Sequence, residues 1–278
     1  MRTLVIGCGY LGLPLARRER DAGREVTAWV RSPASAEALA GEKFARIITG
    51  SVADARLWSS AGTFDRAVHA ASSSGGGVEA YREVFLEGAR RLAGHLPASV
   101  QKILVSSTSV YAQNAGEIVT EESSAEPSSE TGKILREAEE IARKAGSIIV
   151  RSAGIYGPGR AVLVEKLRRG EAAMEGDGSR WMNQIHRDDL VAAVLQFWTN
   201  GRPGEIYNAS DNTPVQQRDY YGWCCDLLGV PLPPSTPPNP NRKRGLTSKR
   251  VGNAKLRALG WTPRFPSFRE GLAAYSPR

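Results

Sequence analysis

The chain has 278 residues, 41% hydrophobic and 24% charged, with 29 glycines, 16 prolines and a formal net charge of +8. That length and balance fit one large domain with a small appendage and exclude a disordered, collagen-like or coiled-coil chain. No apolar run reaches the roughly 18 residues of a membrane span, and Cys8, Cys224 and Cys225 form neither a disulfide framework nor a metal-ligand spacing. Short β-branched or apolar runs at 3–6, 25–30, 45–48, 66–70, 102–106 and 147–151 predict buried parallel strands. Between them, 79–96 and 129–145 carry helical patterns; in the former Val84, Leu86, Ala89 and Leu92 make an apolar face. Further on, 161–169 and 188–198 read as helices and 205–208 as a late strand, and 231–240 holds six prolines, which forbids helix. Short helical stretches near 253–259 and 267–274 finish the chain. Strands alternating with helices predict an α/β fold, a Rossmann-type doubly wound parallel sheet with a small C-terminal substrate lobe. The expected division is a cofactor-binding domain at 1–160 and a substrate lobe at 161–278, with 184–208 returning to the first.

The charge is unevenly placed. Residues 1–241 hold 27 Lys+Arg against 28 Asp+Glu, whereas 242–278 hold ten basic residues and one acid, Glu270. A basic body is excluded, and nucleic acid is disfavoured as a partner; a phosphate or carboxylate on a small substrate, met by residues such as Arg242 and Arg244, is the expected role of the tail.

Gly7-Cys8-Gly9-Tyr10-Leu11-Gly12 follows the first strand and opens a helix, the context in which a G-x-G-x-x-G means a dinucleotide. Gly7 permits the tight turn, Gly9 lets the backbone approach a pyrophosphate, and Gly12 lets the helix pack on the sheet. Tyr10 and Leu11 complete the loop, and the pyrophosphate is expected on the helix N-terminus. The second strand ends in Arg31-Ser32 instead of the Asp or Glu that binds a ribose 2′-hydroxyl. Arg31 can pair with a 2′-phosphate and Ser32 can hydrogen-bond it, so NADP(H) is expected in preference to NAD.

Further motifs follow in order: Gly50-Ser51-Val52-Ala53-Asp54, Ala67-Val68-His69-Ala70-Ala71, Val105-Ser106-Ser107-Thr108-Ser109-Val110-Tyr111, Arg151-Ser152-Ala153-Gly154-Ile155-Tyr156-Gly157-Pro158-Gly159, Ile185-His186-Arg187-Asp188-Asp189-Leu190 and Ile206-Tyr207-Asn208. With the glycine loop, this series resembles the extended short-chain dehydrogenase/reductases, the NAD(P)-dependent epimerase/dehydratase family. The resemblance covers nearly the whole chain. It implies that Asp54 flanks the adenine, and that Ala70, Ala71 and Ala153 line the ribose and nicotinamide side. It also implies an Asn-Ser-Tyr-Lys tetrad, in which a phenol moves the proton at the substrate oxygen, Lys lowers the phenol pKa and holds the ribose, and Ser fixes the carbonyl.

Only part of that tetrad is matched. Ser107 matches the Ser, Lys133 the Lys of Tyr-x-x-x-Lys, and Glu137 the following acid; Ser129 stands at the Tyr position and Phe85 at the Asn position. The chain therefore resembles an atypical subgroup lacking the catalytic Tyr, as do the tail residues Ser248 to Leu256 and Leu259-Gly260-Trp261. Ser129 has no acidic hydroxyl and a shorter reach, which makes it a poor proton donor; Tyr111 and Tyr156 are the nearest motif-borne phenols and either could supply the proton, the more frequent reading of such residues being packing with a satisfied hydroxyl. Thr108 and Tyr156 are expected on the substrate side. His186 and Asp188 read as a helix entry and no metal is expected.

The expected function is an NADP-dependent oxidoreductase or epimerase-like enzyme acting on a polar, anionic carbonyl or nucleotide-sugar-type substrate. The alternative is a catalytically degenerate NADP-binding sensor or regulator. The opening Met1-Arg2-Thr3-Leu4-Val5-Ile6 enters the glycine loop too early for a signal peptide. A cytoplasmic monomer or homodimer without membrane attachment is expected.

Overall fold

A computed structural model of the chain describes residues 1–237 and 247–274. Seven strands, β1 (Arg2–Ile6), β2 (Glu25–Val30), β3 (Arg46–Thr49), β4 (Arg66–His69), β5 (Gln101–Ser107), β6 (Ile148–Ser152) and β7 (Ile206–Ala209), form one sheet in the order β3-β2-β1-β4-β5-β6-β7. Every neighbouring pair is parallel. The strands are mostly apolar because both faces are covered, with polar residues such as Arg66, Lys102 and Arg151 concentrated near their ends. Val5 belongs to one core, with Leu15, Val26, Val68, Val194 and Phe197; its neighbours Leu4 and Ile6 belong to another, with Trp29, Trp58 and Leu92. Alternation along one strand thus feeds two layers.

Five helices of eight residues or more are present among the described residues: α1 (Gly12–Asp21), α2 (Gly88–His95), α3 (Glu130–Lys144), α4 (Arg187–Asn200) and α5 (Gln217–Leu228). α1 and α4 cover the Val5 face. Ala89 of α2 and Ala138 and Ala142 of α3 pack on Leu104 and Ile149. The small alanines let these helices sit close to the sheet. The sheet order reverses between β1 and β4, and that switch point is where a parallel sheet of this kind opens a crevice at its strand C-termini.

The stretch 79–96 departs from the single predicted helix. It is a short helix Val78–Tyr81, a π-helical segment Arg82–Glu87, then α2. The segment sits where the chain passes the sheet closely: a side chain on Gly88 would come within 2.3 Å of the His69 ring. Such widened turns re-aim side chains and gather at functional sites; here Glu83, Val84 and Phe85 all line the cleft described below.

A second core of Tyr156, Leu167, Met182, Val215, Tyr220, Tyr221, Cys224 and Phe268 builds a lobe beside the strand C-termini. The aromatic run Tyr220 to Cys225 is the buried face of α5. The tail then returns to the sheet domain, where Leu256 and Trp261 join the Val5 core. Asp189 ties it down. Its buried carboxylate accepts the backbone N–H groups of Arg264 (2.7 Å) and Phe265 (3.0 Å), and its carbonyl accepts the Trp261 indole N–H. Two residues of the basic tail are structural. Lys249 is buried and donates to the Tyr111 carbonyl at 3.0 Å, with burial pulling its ammonium down to about 8; Arg250 stacks on Trp181 and donates to the Gly116 carbonyl. Arg242 and Arg244 lie outside the described residues.

Candidate cofactor and active site

The crevice at the switch point holds a cavity of about 340 Å³ running from Arg31 and Ser32 after β2, past the glycine loop, to Ser106 and Ser107 at the end of β5. The three glycines have separate physical duties. Gly7 has φ +84°, and a Cβ there would fall 2.3 Å from the Ala71 backbone; one on Gly12 would fall 2.2 Å from the Gly7 carbonyl. Gly9 differs: a Cβ would meet no protein atom within 4 Å, although the residue lines the cavity. Space is left beside this backbone. Among the described residues no side chain caps the start of α1; Leu13 N–H donates to the Gly9 carbonyl at 2.9 Å and Pro14 has none, so the donors left for an anion are the backbone N–H groups at Leu11 and Gly12. Cys8 lines the same loop, its thiol pushed up to about 12 by burial, which keeps it unreactive.

At the β2 end, Arg31 and Ser32 both border the cavity, Ser32 also capping the helix Pro33–Glu37. Asp54 is a different case from its expected place beside the adenine. It caps the helix Ala55–Ser59 and pairs with Arg56 at 2.9 Å, while Ser51 and Val52 supply the cavity wall. Ala70 and Ala71 line the cavity; Ala153 is buried behind it, and Ile155 takes the wall position.

The expected catalytic residues divide sharply. Ser107 lines the cavity. Its oxygen accepts the Ser109 N–H at 3.1 Å, which leaves the hydroxyl hydrogen available to a ligand. Tyr111 is fully buried: its hydroxyl donates to Asn208 Oδ1 at 2.8 Å and accepts from Arg151 at 2.9 Å, and burial raises the phenol pKa. It is a packing residue away from the cavity wall. Tyr156 is buried too, donating to the Ser267 carbonyl at 3.2 Å and packing edge-on to His186. Thr108 is buried at the start of a short turn and does not line the cavity. His186 caps α4 by accepting the Asp188 N–H at 3.1 Å, and burial takes its imidazole down to about 4.

The α3 residues need a correction of register. Ser129 is the N-cap of α3, accepting the Gly132 N–H at 3.2 Å. Lys133 is exposed and does not line the cavity, and Glu137, half-exposed, pairs with Arg90. The buried acid is Glu139, and the α3 residue that lines the cavity is Leu135. Two residues along a helix rotate a side chain by about 200°. Lys133 and Glu137 therefore face solvent, whereas Leu135 and Glu139, also four apart, face inward. Four residues before Leu135 stands Thr131, so the row that faces the cleft carries neither Tyr nor Lys. Lys133→Ala should therefore leave affinity for a nicotinamide dinucleotide within about twofold, as for an exposed surface lysine. A fall of tenfold or more in a fluorescence titration would restore Lys133 to the site.

Glu139 anchors what lies behind the cavity. It accepts from Ser106 Oγ (2.6 Å), Arg136 (2.6 Å) and Arg151 (2.8 Å), and Arg151 in turn holds Tyr111. Arg160 was missed by motif reading. It lies in the turn after Tyr156, lines the cavity, and stacks over Tyr10 at 5.1 Å. Among the described residues no group of three or more His, Cys, Asp or Glu could hold a metal ion.

Residues 3–210 match the family profile described as NAD dependent epimerase/dehydratase family. The chain belongs to that family. Among curated relatives of this epimerase/dehydratase chain, Protein YeeZ of Escherichia coli K12 is 27% identical over 84% of this chain and 85% of its own. The 3-diazoavenalumate denitrifying reductase of a Streptomyces species is 26% identical over 98% and 99%. Among solved structures, DesIV, a dTDP-glucose 4,6-dehydratase from Streptomyces venezuelae with NAD and TYD bound, superposes with a TM-score of 0.83 at 25% identity, covering 99% of this chain and 95% of that one. The family, the seven-stranded parallel sheet and the Rossmann-like order agree with the expected fold class. Among the described residues no helix is long and apolar enough to cross a membrane.

Proposed function

We propose that this chain is an NADP(H)-dependent oxidoreductase or epimerase-like enzyme acting on a polar, anionic carbonyl or nucleotide-sugar-type substrate. The carrying observation is one continuous cavity that joins Arg31 and Ser32, the glycine loop with open space at Gly9, and Ser107. The residues fit the dinucleotide. The uncapped start of α1 receives the pyrophosphate, Ala70 and Ala71 let the riboses lie flat on the strand ends, and Arg31 with Ser32 meets a 2′-phosphate. Reduced nicotinamide, when bound, supplies a hydride. Ser107 donates its hydroxyl hydrogen to the substrate oxygen and fixes its direction. Arg160, the cavity cation nearest Tyr10, offers a charge to an anionic group on cofactor or substrate. The nucleotide-sugar class is supported by DesIV and its bound NAD and TYD.

Arg31→Asp tests the cofactor choice. Loss of a charge-assisted contact worth about 1.5–3 kcal/mol should weaken NADP(H) roughly 10- to 100-fold, while NAD(H) affinity stays level or improves. Equal losses for both cofactors would remove Arg31 as the discriminating residue.

A second reading, a degenerate NADP-binding sensor, is favoured by Leu135 and Thr131 in the row where the tetrad's Lys and Tyr would stand. NADPH oxidation measured against aldehydes, ketones, imines and nucleotide-sugars separates the two. Turnover supports the enzyme, and tight NADP(H) binding without turnover supports the sensor.

A further inference from the structure

Reduction of a carbonyl needs a proton at oxygen, and the α3 row that faces the cleft has no group to give one. We propose that Tyr81 is the acid–base residue of this site, an inference that rests on the NADP(H)-dependent reading above. Tyr81 is the last residue of the helix Val78–Tyr81, directly before the π-helical segment, and it lines the same cavity as Ser107, Phe85 and Leu135. Its position along the cleft is fixed by packing. The ring lies 5.1 Å from Phe85 and rests on the cluster that includes Val110 and Leu135. That is the β5–α3 end, where Ser107 stands, and not the β2 end with Arg31.

Its hydroxyl is distinct from the other phenols considered. Tyr111 and Tyr156 are buried and spend their hydroxyls on Asn208 and on the Ser267 carbonyl. Tyr10 belongs to the glycine loop, its ring flanked by Arg160 and Arg187. Tyr81 is half-buried, and among the described residues no group hydrogen-bonds its hydroxyl. The π-helical segment accounts for the placement: widening the turn after Tyr81 aims Phe85 into the cavity, and the Phe85 ring then supports the phenol.

The chemistry balances without another residue. As the carbonyl carbon accepts the hydride, the C=O π pair becomes a lone pair on oxygen. The Tyr81 O–H bond breaks to protonate that oxygen, Ser107 holds it by a hydrogen bond, and water returns a proton to the phenolate. In the oxidising direction the same phenolate takes the alcohol proton.

The test uses the full chain labelled with 3-fluorotyrosine and followed by ¹⁹F NMR. Tyr81→Phe assigns the resonance, and because it removes an oxygen bonded to no described residue it should leave the melting temperature unchanged. With NADP⁺ bound, the Tyr81 resonance should shift. 2′-Phospho-ADP-ribose, which fills the site but lacks the nicotinamide, should leave it in place. A resonance that ignores bound NADP⁺, or responds equally to both ligands, overturns the assignment. Failure of both ligands to bind overturns the cofactor reading itself and Tyr81 with it. NADPH-driven reduction of phenanthrenequinone gives a second readout. Tyr81→Phe should lower kcat roughly 100-fold or more, with NADPH affinity within about twofold; an unchanged kcat removes Tyr81 from the chemistry.

Discussion

Glu139→Ala should lower folding stability by about 3–5 kcal/mol, and Glu137→Ala, two residues earlier on the same helix, by no more than about 1 kcal/mol. Glu139 is fully buried and receives hydrogen bonds from Ser106, Arg136 and Arg151. The Arg151 side chain is 2% exposed, so removing the carboxylate strands a guanidinium in the protein interior. Its remaining contact, the Tyr111 hydroxyl, is neutral and shared with Asn208. An uncompensated buried charge is among the few causes of so large an effect. Glu137 meets Arg90 at the surface, where solvent screens the pair and side-chain entropy offsets most of the attraction. For a domain of this size the Glu139 loss corresponds to a fall in Tm on the order of 10 °C. Ser106 loses its anchor in the same variant, so cofactor affinity should fall alongside stability. Equal melting temperatures for the two variants would contradict the inward register of Glu139.

The same pair shows where sequence reading succeeds and where it fails. The glycine turn and the strand rhythm are legible because each is set by local spacing: a strand, a turn requiring glycine, a helix start. The α3 motif is not, because Lys-x-x-x-Glu spacing fits 133/137 by residue type, while the fold places 135/139 inward. A signal was present. Lys133, Glu137, Glu140 and Lys144 recur at spacings of four, three and four, which is the solvated stripe of a helix; Leu135, Ala138 and Ala142 mark the opposite side. Weighing that periodicity above motif identity recovers the register. Asp54 shows a second limit, since an Asp before a helix is also a cap, and motif position alone does not reveal that duty. The tail charge misled as a total: Lys249 and Arg250 are spent on backbone carbonyls and an indole face, which no composition count reveals. The π-helical segment left no trace in a periodicity that it disturbs by one residue. Arg160 and Tyr81 enter the cleft only through the tertiary fold.

Gly9→Val should fold like the parent chain yet bind a nicotinamide dinucleotide about 1–3 kcal/mol more weakly, roughly 10- to 100-fold, the range for forcing extra methyl groups into an occupied space. The argument turns on where each glycine's missing side chain would go. At Gly9 a Cβ meets no protein atom within 4 Å, and the residue's φ is not in the left-handed region, so the free protein has little to lose. The space is nonetheless part of the cavity, and backbone approach there is what a pyrophosphate on α1 requires. Gly7 is the converse. Its φ of +84° and the 2.3 Å separation from the Ala71 backbone charge any side chain with strain and a collision against main chain that cannot swing away. Gly7→Ala should therefore lower the Tm of the cofactor-free protein, and Gly9→Val should not. The pair separates the loop's structural duty from its binding duty. If Gly9→Val keeps parental affinity in a titration, the dinucleotide does not cross the loop at this point, and the cavity between Arg31 and Ser107 must be filled by a different ligand.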